Sequence, residues 1–399
     1  MPPPKAEVIA RATLTYLAEP GDPWLGALAR DHGAERAVAA VRAGRFPDGN
    51  RSASAAALRA MDRWRLRLAE VPAGDELDRM LSGSAGIRLL CPADPQWPRR
   101  LRELGDSEPY ALWARGGGDL GELCERAVSI VGSRAATAYG SFVAAEIAAT
   151  VAARGWTVIS GGAYGIDGSA HRGALAGQGV TIAVMACGVD RPYPAGHTEL
   201  LASAAEAGGV ISEWPPGRSV ARIRFLVRNR VIAALSAGTV VVEAGKRSGA
   251  LNTARHALEL GRPLMAVPGP VTSDLSAGCH SIIRDWAGTL VTCAEEVLEA
   301  LGSDSPAGPA RPRGAIPDAV PAAQLARGTP SRADRARDAL DLEAATVLDA
   351  LPARGALPTA DIAIKAALEP AVVLEKLAVL AVYGLAERTD RGWRVRHER

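Results

Sequence analysis

Apolar residues recur at helical spacing along the first part of the chain. Val8, Leu14 and Leu17 begin this pattern, and Val38 and Val41 continue it after a break rich in proline and glycine. Apolar positions three and four residues apart are typical of amphipathic helices that bury one face. Residues 1–85 are therefore predicted to form a small helical domain, for which a packing or partner role is favoured over a DNA-binding hairpin.

From residue 86 onwards, short apolar runs alternate with helical stretches. We predict strands at 87–91, 111–115, 127–132, 157–161, 181–187, 209–213, 239–243, 263–267 and 289–292. Strands separated by helices are joined by right-handed crossovers and form a doubly wound parallel sheet. Residues 86–300 are therefore predicted to be an α/β domain whose ligand binds beyond the carboxyl ends of the strands.

Prolines accumulate after the last predicted strand, among alanine, glycine, arginine and aspartate, from Pro306 to Pro330. A segment of this composition buries too little apolar surface to offset the entropy lost on ordering, so 301–338 is predicted to be a disordered linker. The remaining residues, 339–399, contain three helical stretches and a hairpin with Asp390 to Gly392 at its tip. Three helices followed by such a hairpin indicate a winged-helix domain.

Composition excludes several classes of protein. The formal net charge is only +2, so a polyanion would have to be held by a local basic patch. Five cysteines without paired spacing indicate reduced thiols in the cytosol, and dispersed histidines make a metal site unexpected. Because no apolar run reaches membrane-spanning length and the N-terminus lacks a signal core, we expect a cytoplasmic protein with no membrane association.

One stretch departs from this near-neutral balance. Between Glu213 and Glu243 there is no acidic residue, whereas five arginines fall there: Arg218, Arg222, Arg224, Arg228 and Arg230. A solvated helix face usually mixes charges in (i, i+4) pairs, so this segregation favours an anionic partner over an unpaired surface helix. Burial of Phe225 to Val227 would present Arg224 and Arg228 on one side, together with Asn229 or Arg230.

Two predicted strands end in glycine-rich turns. Gly132, Ser133 and Arg134 follow the first, and Ser160 to Gly165 follow the second and include Tyr164, which is a candidate for base stacking. Glycine lets a backbone approach a ligand closely, and unpaired N–H groups at a helix start attract anions such as phosphate. The alternative for the first turn is a plain strand-to-helix connection with a solvated arginine.

A third strand end adds Glu243, Lys246, Ser248 and Gly249, again at the start of a predicted helix. Glu243 is either a general base or a residue that positions Arg134 or an arginine of the 222–230 helix. Because the neighbouring loops show no second carboxylate, metal-ligand pair or nucleophile–base spacing, we favour positioning and predict no catalytic residue. The predicted nucleic-acid-binding residues are Gly132, Ser133, Arg134, Ser160, Gly161, Gly162, Tyr164, Gly165, Arg224, Arg228, Asn229, Arg230, Glu243, Lys246, Ser248 and Gly249.

Several phosphate positions in a row favour a polymer over a mononucleotide. A dinucleotide cofactor requires Gly-x-Gly-x-x-Gly after the first strand, and the sequence from Gly132 to Arg134 lacks the second glycine. No cofactor is therefore expected.

These segments, taken in order, resemble the DNA-processing protein A family (DprA, also called Smf). The segments that carry the resemblance are Ile130–Arg134, Ser160–Asp167, Ala170–His171, Tyr193–Pro194, His197, Phe225–Arg230, Val242–Ala244, Ser248–Gly249, Thr253–Ala254, Ala266–Gly269 and Gly278–Cys279. The resemblance implies an extended Rossmann-like core that binds single-stranded DNA through the glycine loops, Arg134 and the Arg228 region. It also implies a SAM-like helical N-terminal domain, a C-terminal winged helix and a homodimer.

The function implied by this resemblance is not enzymatic. It is protection of incoming single-stranded DNA and loading of the RecA recombinase in natural transformation and recombination. The alternative is a Rossmann-fold nucleotide hydrolase similar to the lysine-decarboxylase-like phosphoribohydrolases. The Pro-Gly-Gly-x-Gly-Thr-x-x-Glu pattern of those enzymes is missing at Glu243.

Overall fold

The computed structural model describes residues 2–50, 53–82, 86–302, 332–352, 355–366 and 368–396. Within these ranges, no helix combines the length and the apolar character needed to cross a bilayer.

The N-terminal residues form five helices, as the apolar spacing predicts. They are α1 (Lys5–Leu17), α2 (Pro23–His32), α3 (Ala34–Ala43), α4 (Ala55–Arg67) and α5 (Gly74–Leu81). Asp22 caps α2 by accepting hydrogen bonds from the N–H groups of Trp24 and Leu25, which would otherwise lack partners. Leu14, Leu25 and Trp64 are fully buried in a common core. The SAM-like character of this domain stays a prediction.

Residues 86–302 are built around a nine-stranded sheet. Its strands are β1 (Ile87–Leu90), β2 (Leu112–Arg115), β3 (Ala127–Val131), β4 (Thr157–Ser160), β5 (Thr181–Val184), β6 (Gly209–Ser212), β7 (Gly238–Val241), β8 (Leu264–Ala266) and β9 (Thr289–Leu290). A strand lies within or overlaps every predicted range, so the α/β prediction is confirmed for this region. Val128 and Ile130 belong to one hydrophobic cluster and Ala127 and Val131 to another, as expected for a strand buried on both faces.

The strand order is β1-β2-β6-β5-β4-β3-β7-β8-β9. The pairs from β6 to β9 are parallel, whereas β1 and β2 are antiparallel and extend one edge. The chain winds outwards from β3 to β6 and then returns to the other side of β3 as β7. This reversal leaves a crevice at the carboxyl ends of β3 and β7, which is where open α/β sheets usually bind ligands.

Helices connect these strands and cover both faces of the sheet. They are α6 (Leu120–Leu123), α7 (Ala138–Ala153), α8 (Ile166–Ala176), α9 (Thr198–Ala207), α10 (Arg222–Leu235), α11 (Ala250–Glu259), α12 (Ala277–Asp285) and α13 (Ala294–Ala300). Helices α7 and α8 pack unusually closely, because a Cβ atom on Gly173 would lie 2.2 Å from the carbonyl oxygen of Ala145. This contact holds the middle of α8 against the middle of α7.

The C-terminal residues form four helices and a two-stranded hairpin. They are α14 (Arg332–Asp338), α15 (Leu342–Ala350), α16 (Thr359–Ala366), α17 (Pro370–Val382), β10 (Ala386–Thr389) and β11 (Gly392–Val395). Most of the predicted linker, 303–331, lies outside the described residues. Its last part is helical, so the prediction of disorder is wrong for 332–338. Tertiary contacts explain the difference, since Ala336 is buried in the C-terminal core and Asp338 bonds to the sheet domain.

Candidate nucleic-acid interface

A cavity of about 700 Å³ lies in the crevice between the carboxyl ends of β3 and β7, against the side of α10. A smaller recess adjoins it and shares Arg134, Ala163 and Phe225. The predicted residues that line the cavity are Gly132, Ser133, Arg134, Arg228, Asn229, Lys246, Ser248 and Gly249. Those that line only the recess are Gly161 and Tyr164. Those that line neither are Ser160, Gly162, Gly165, Arg224, Arg230 and Glu243.

Arg134 is the best-placed cation of the predicted set. Its side chain is 39% exposed, and its guanidinium lies over the ring of Phe225, 4.3 Å from the ring centroid. The same guanidinium is paired with Asp338 of α14. Because a guanidinium presents a fork of donors, Arg134 can hold a phosphate in the geometry that it uses for this carboxylate.

The other side of the cavity is formed by the loop after β7. Lys246 and Arg247 are exposed on it, and the hydroxyl of Ser248 accepts a hydrogen bond from the N–H of Ala250 at 3.3 Å. Asn229 ties α10 to this loop by donating to the carbonyl of Gly249 at 3.2 Å. Cations therefore stand at the ends of two neighbouring strands, across the cavity from each other.

Arg228 lies at the base of the cavity and is only 4% exposed. It donates to the carbonyl oxygens of Gly161, at 2.8 Å, and Val184. Burial lowers the pKa of Arg228 to about 10, although the nearby carboxylate of Asp167 acts in the opposite direction. Arg228 thus remains a cation at neutral pH, and it holds the ends of β4 and β5 together.

The glycine turns do not present the row of free N–H groups that the sequence predicted. The N–H of Ser133 donates to the carbonyl of Glu243 at 2.7 Å, and that of Gly161 donates to Asp167 at 3.2 Å. A Cβ atom on Gly165 would lie 2.2 Å from the carbonyl oxygen of Ser133. Gly165 therefore serves first to let the loops after β3 and β4 pack against each other.

Two of the predicted arginines are bound within the protein and lie outside the cavity. Arg224 is 1% exposed and forms a bidentate pair with Glu19 of the N-terminal domain, at 3.0 and 2.8 Å. Arg230 is buried and donates to both carboxylate oxygens of Glu213 at 2.6 Å. Both charges are already satisfied within the protein, and neither guanidinium faces the cavity.

Ser160 and Glu243 also have structural partners. The hydroxyl of Ser160 is fully buried and donates to the carbonyl of Ile130 at 2.7 Å. The carboxylate of Glu243 accepts from the N–H and the hydroxyl of Thr137, at 2.9 and 2.6 Å. Glu243 therefore positions a neighbouring element, as predicted. That element is the start of α7, however, and not an arginine side chain.

Tyr164 is not available for base stacking, because its ring is 6% exposed and packs edge-on against His197. Phe225 is the aromatic residue that lines both the cavity and the recess: it is partly exposed, and the guanidinium of Arg134 lies over its ring. The sequence pattern predicted Phe225 on the buried face of α10. Its position one helical turn before Arg228 is the signal that would have placed it beside the cavity.

Several known proteins are similar to this chain. The family model of DNA recombination-mediator protein A matches residues 88–302. A Mycobacterium tuberculosis protein named as a DNA processing protein DprA is 44% identical over 398 residues, covering 97% of this chain and 94% of that protein. Protein Smf of Escherichia coli is 44% identical over 214 residues, covering 53% of this chain and 56% of that protein.

Among solved structures, the X-ray structure of DNA processing protein A from Streptococcus pneumoniae aligns with a TM-score of 0.60 and 28% identity. The alignment covers 75% of this chain and 98% of that chain. Residues 88–302, which the family model matches, contain all the strands of the sheet except the first residue of β1. They also contain every residue that lines the cavity. This chain therefore belongs to the DNA-processing protein A family.

Proposed function

We propose that the chain binds single-stranded DNA in the crevice between β3 and β7. The observation that carries the proposal is the cavity of about 700 Å³ with Arg134 on one side and Lys246 and Arg247 on the other. Phosphates of a flexible strand would lie against these cations and the start of α11. Membership of a family of DNA-processing proteins supports the assignment.

The partly exposed ring of Phe225 favours a single strand over a duplex. An unpaired base can stack on an aromatic ring whatever its identity, with a contribution of about 1–3 kcal/mol per base. In a duplex the faces of the bases are covered by their neighbours, so Phe225 would have no equivalent partner. We expect little sequence preference, because stacking accepts every base and the cations of the cavity are proposed to meet phosphates.

The same proposal includes the finer steps that the sequence resemblance implies. The bound strand is protected and delivered to a RecA-type recombinase in the cytoplasm, and the protein acts as a homodimer. Five free cysteines, four of them buried, support a reducing compartment. The C-terminal domain is proposed to be a winged helix, which three packed helices followed by the hairpin of β10 and β11 support.

Catalysis is not part of the proposal. The carboxylate of Glu243, which a nucleotide hydrolase would require as a base, already accepts two hydrogen bonds from Thr137. Incubation of the protein with nucleoside monophosphates should release no free base. Release of base at a rate that depends on Glu243 would instead favour the hydrolase alternative.

The test of DNA binding is the substitution Arg134→Ala. We expect weaker binding of a single-stranded oligonucleotide and a salt dependence shallower by about 0.7 in log–log slope, since one phosphate contact is lost. Binding is measured by fluorescence anisotropy at several salt concentrations, with an equal-length duplex as the competing ligand.

Arg126→Ala is the matched control. Arg126 precedes β3 and therefore lies at the amino end of the strand, whereas Arg134 follows its carboxyl end. Like Arg134, it has an exposed side chain. Its loss should leave affinity and slope close to those of the unmodified protein. Equal effects of the two substitutions, or no effect of either, would refute binding in the crevice.

A further inference from the structure

The carboxylate of Asp338 lies against the guanidinium of Arg134, the best-placed cation of the cavity. Asp338 ends α14 and lines the recess next to the cavity. One of its oxygens pairs with the guanidinium of Arg134, and the other accepts a hydrogen bond from the hydroxyl of Tyr193 at 2.5 Å. Both oxygens of the anion are therefore bound by groups of the sheet domain.

The charge balance of the crevice changes because of this contact. Among the rim cations, Lys246 and Arg247 belong to no ion pair within the described part of the chain, whereas Arg134 is paired. The Asp338 side chain is 25% exposed, so water screens the pair only in part. A DNA phosphate on Arg134 would therefore compete with this carboxylate for the same guanidinium.

The position of Asp338 is set by the docking of the whole C-terminal domain. Two residues further on, the carbonyl of Leu340 accepts a hydrogen bond from the N–H of Arg222 at 2.9 Å. Asp349 of α15 accepts from the N–H of Ser219 at 2.7 Å and also faces Arg224. The segment 219–224, which begins α10, thus holds the C-terminal domain where Asp338 meets Arg134.

We propose that the C-terminal domain is an internal competitor of single-stranded DNA, with Asp338 as its phosphate mimic. The proposal rests on the proposed binding of DNA in the crevice. Because binding energies are reciprocal, DNA on Arg134 weakens docking of the C-terminal domain by the same factor as docking weakens DNA binding.

The test is a double-mutant cycle on the full chain. Asp338→Asn should tighten binding of a single-stranded oligonucleotide roughly three- to tenfold at low salt, because Arg134 becomes available to phosphate. In the Arg134→Ala background the same substitution should change affinity less than twofold. Tyr193→Phe, which removes only one hydrogen bond from the carboxylate, should give a smaller gain in the same direction.

Asp390→Asn is the control, since Asp390 is an exposed carboxylate of the same domain at the tip of the hairpin. It should leave affinity unchanged, and thermal melts should show that each variant is folded. An equal gain from Asp338→Asn with and without Arg134, or a gain matched by Asp390→Asn, would overturn the competitor role. If neither the unmodified protein nor Asp338→Asn bound the oligonucleotide, the proposed function itself would fail.

Discussion

Arg224, Arg228 and Arg230 share one helix and differ in what each charge meets. Arg224 is paired with Glu19, Arg228 with two backbone carbonyls, and Arg230 with Glu213. The sequence shows that no acid lies within the segment, but it does not show which distant carboxylate the fold brings to it. Only Arg228, the middle one of the three, has its side chain at the cavity.

Arg230→Ala should therefore lower the stability of the protein, whereas Arg134→Ala should lower its affinity for DNA. Arg230→Ala leaves Glu213 buried without its partner, which is expected to lower the free energy of unfolding by about 3–5 kcal/mol. Arg134→Ala should lower DNA affinity with a change in stability of less than about 1 kcal/mol. Urea denaturation measures the free energy of unfolding of both variants. Arg222→Ala is the control, because Arg222 is an exposed residue of the same helix. A stable Arg230→Ala variant with reduced DNA affinity would restore the original assignment of Arg230.

The turns after β3 and β4 act as one unit at the scale of secondary-structure elements. Gly165 has φ of 76° and stands against the carbonyl of Ser133, the residue before Arg134. The N–H of Ile166, at the start of α8, donates to the same carbonyl at 3.1 Å. The backbone that carries Arg134 is thus held by the neighbouring turn, and the two turns place the guanidinium together.

Gly165→Ala should disturb both stability and binding. At Gly165 the backbone has φ of 76° and ψ of −127°, a conformation that costs alanine about 1–3 kcal/mol, and the clash of the added methyl group with Ser133 adds about 1–3 kcal/mol. Gly155→Ala isolates the first cost, because Gly155 has φ of 78° and no atom within 4 Å of the added Cβ. Only Gly165→Ala should also weaken oligonucleotide binding, as measured by anisotropy. Equal loss of stability in the two variants would mean that the turns do not support each other.

The sequence predicted the secondary-structure elements better than it predicted the contacts between distant residues. Runs such as Val128 to Val131 specify a buried strand through local spacing, and all the strands of the sheet were found in this way. The loop after β3 was also recognised as part of the site. The hydrogen bond from Ser133 to Glu243 joins residues of different strands, and the burial of Tyr164 depends on His197. Such pairings arise from the folded chain and leave no periodic signal.

At the scale of the whole molecule, Arg224 joins three parts of the chain. Its guanidinium meets Glu19 of the N-terminal domain and Asp349 of the C-terminal domain, while its backbone belongs to the sheet domain. Trp214 adds a hydrogen bond from its indole N–H to Glu19 at 2.8 Å. Docking of the N-terminal domain therefore depends on a carboxylate that must stay ionised.

This dependence predicts a loss of stability in acid. Burial favours the neutral form of Glu19, but Arg224 more than offsets it and lowers the pKa of Glu19 from 4.5 to about 2. A lowered pKa contributes stability that is present above pH 4.5 and is lost as the pH falls from there towards 2. Urea denaturation at a series of pH values should show this loss in the unmodified protein, and Glu19→Gln should show less of it. Parallel pH profiles for the two proteins would contradict this role of Glu19.

The place of β3 in the sheet has a consequence for the protein while it is being made on the ribosome. β3 pairs on one side with β4, which follows it closely, and on the other with β7, which emerges only after residue 237. Until then, a nascent chain carries an apolar strand with one open edge, which is the kind of surface that other chains can add to. When β7 pairs with β3, it covers that edge and places Lys246 opposite Arg134. The same folding step therefore removes an aggregation-prone strand edge and forms the crevice.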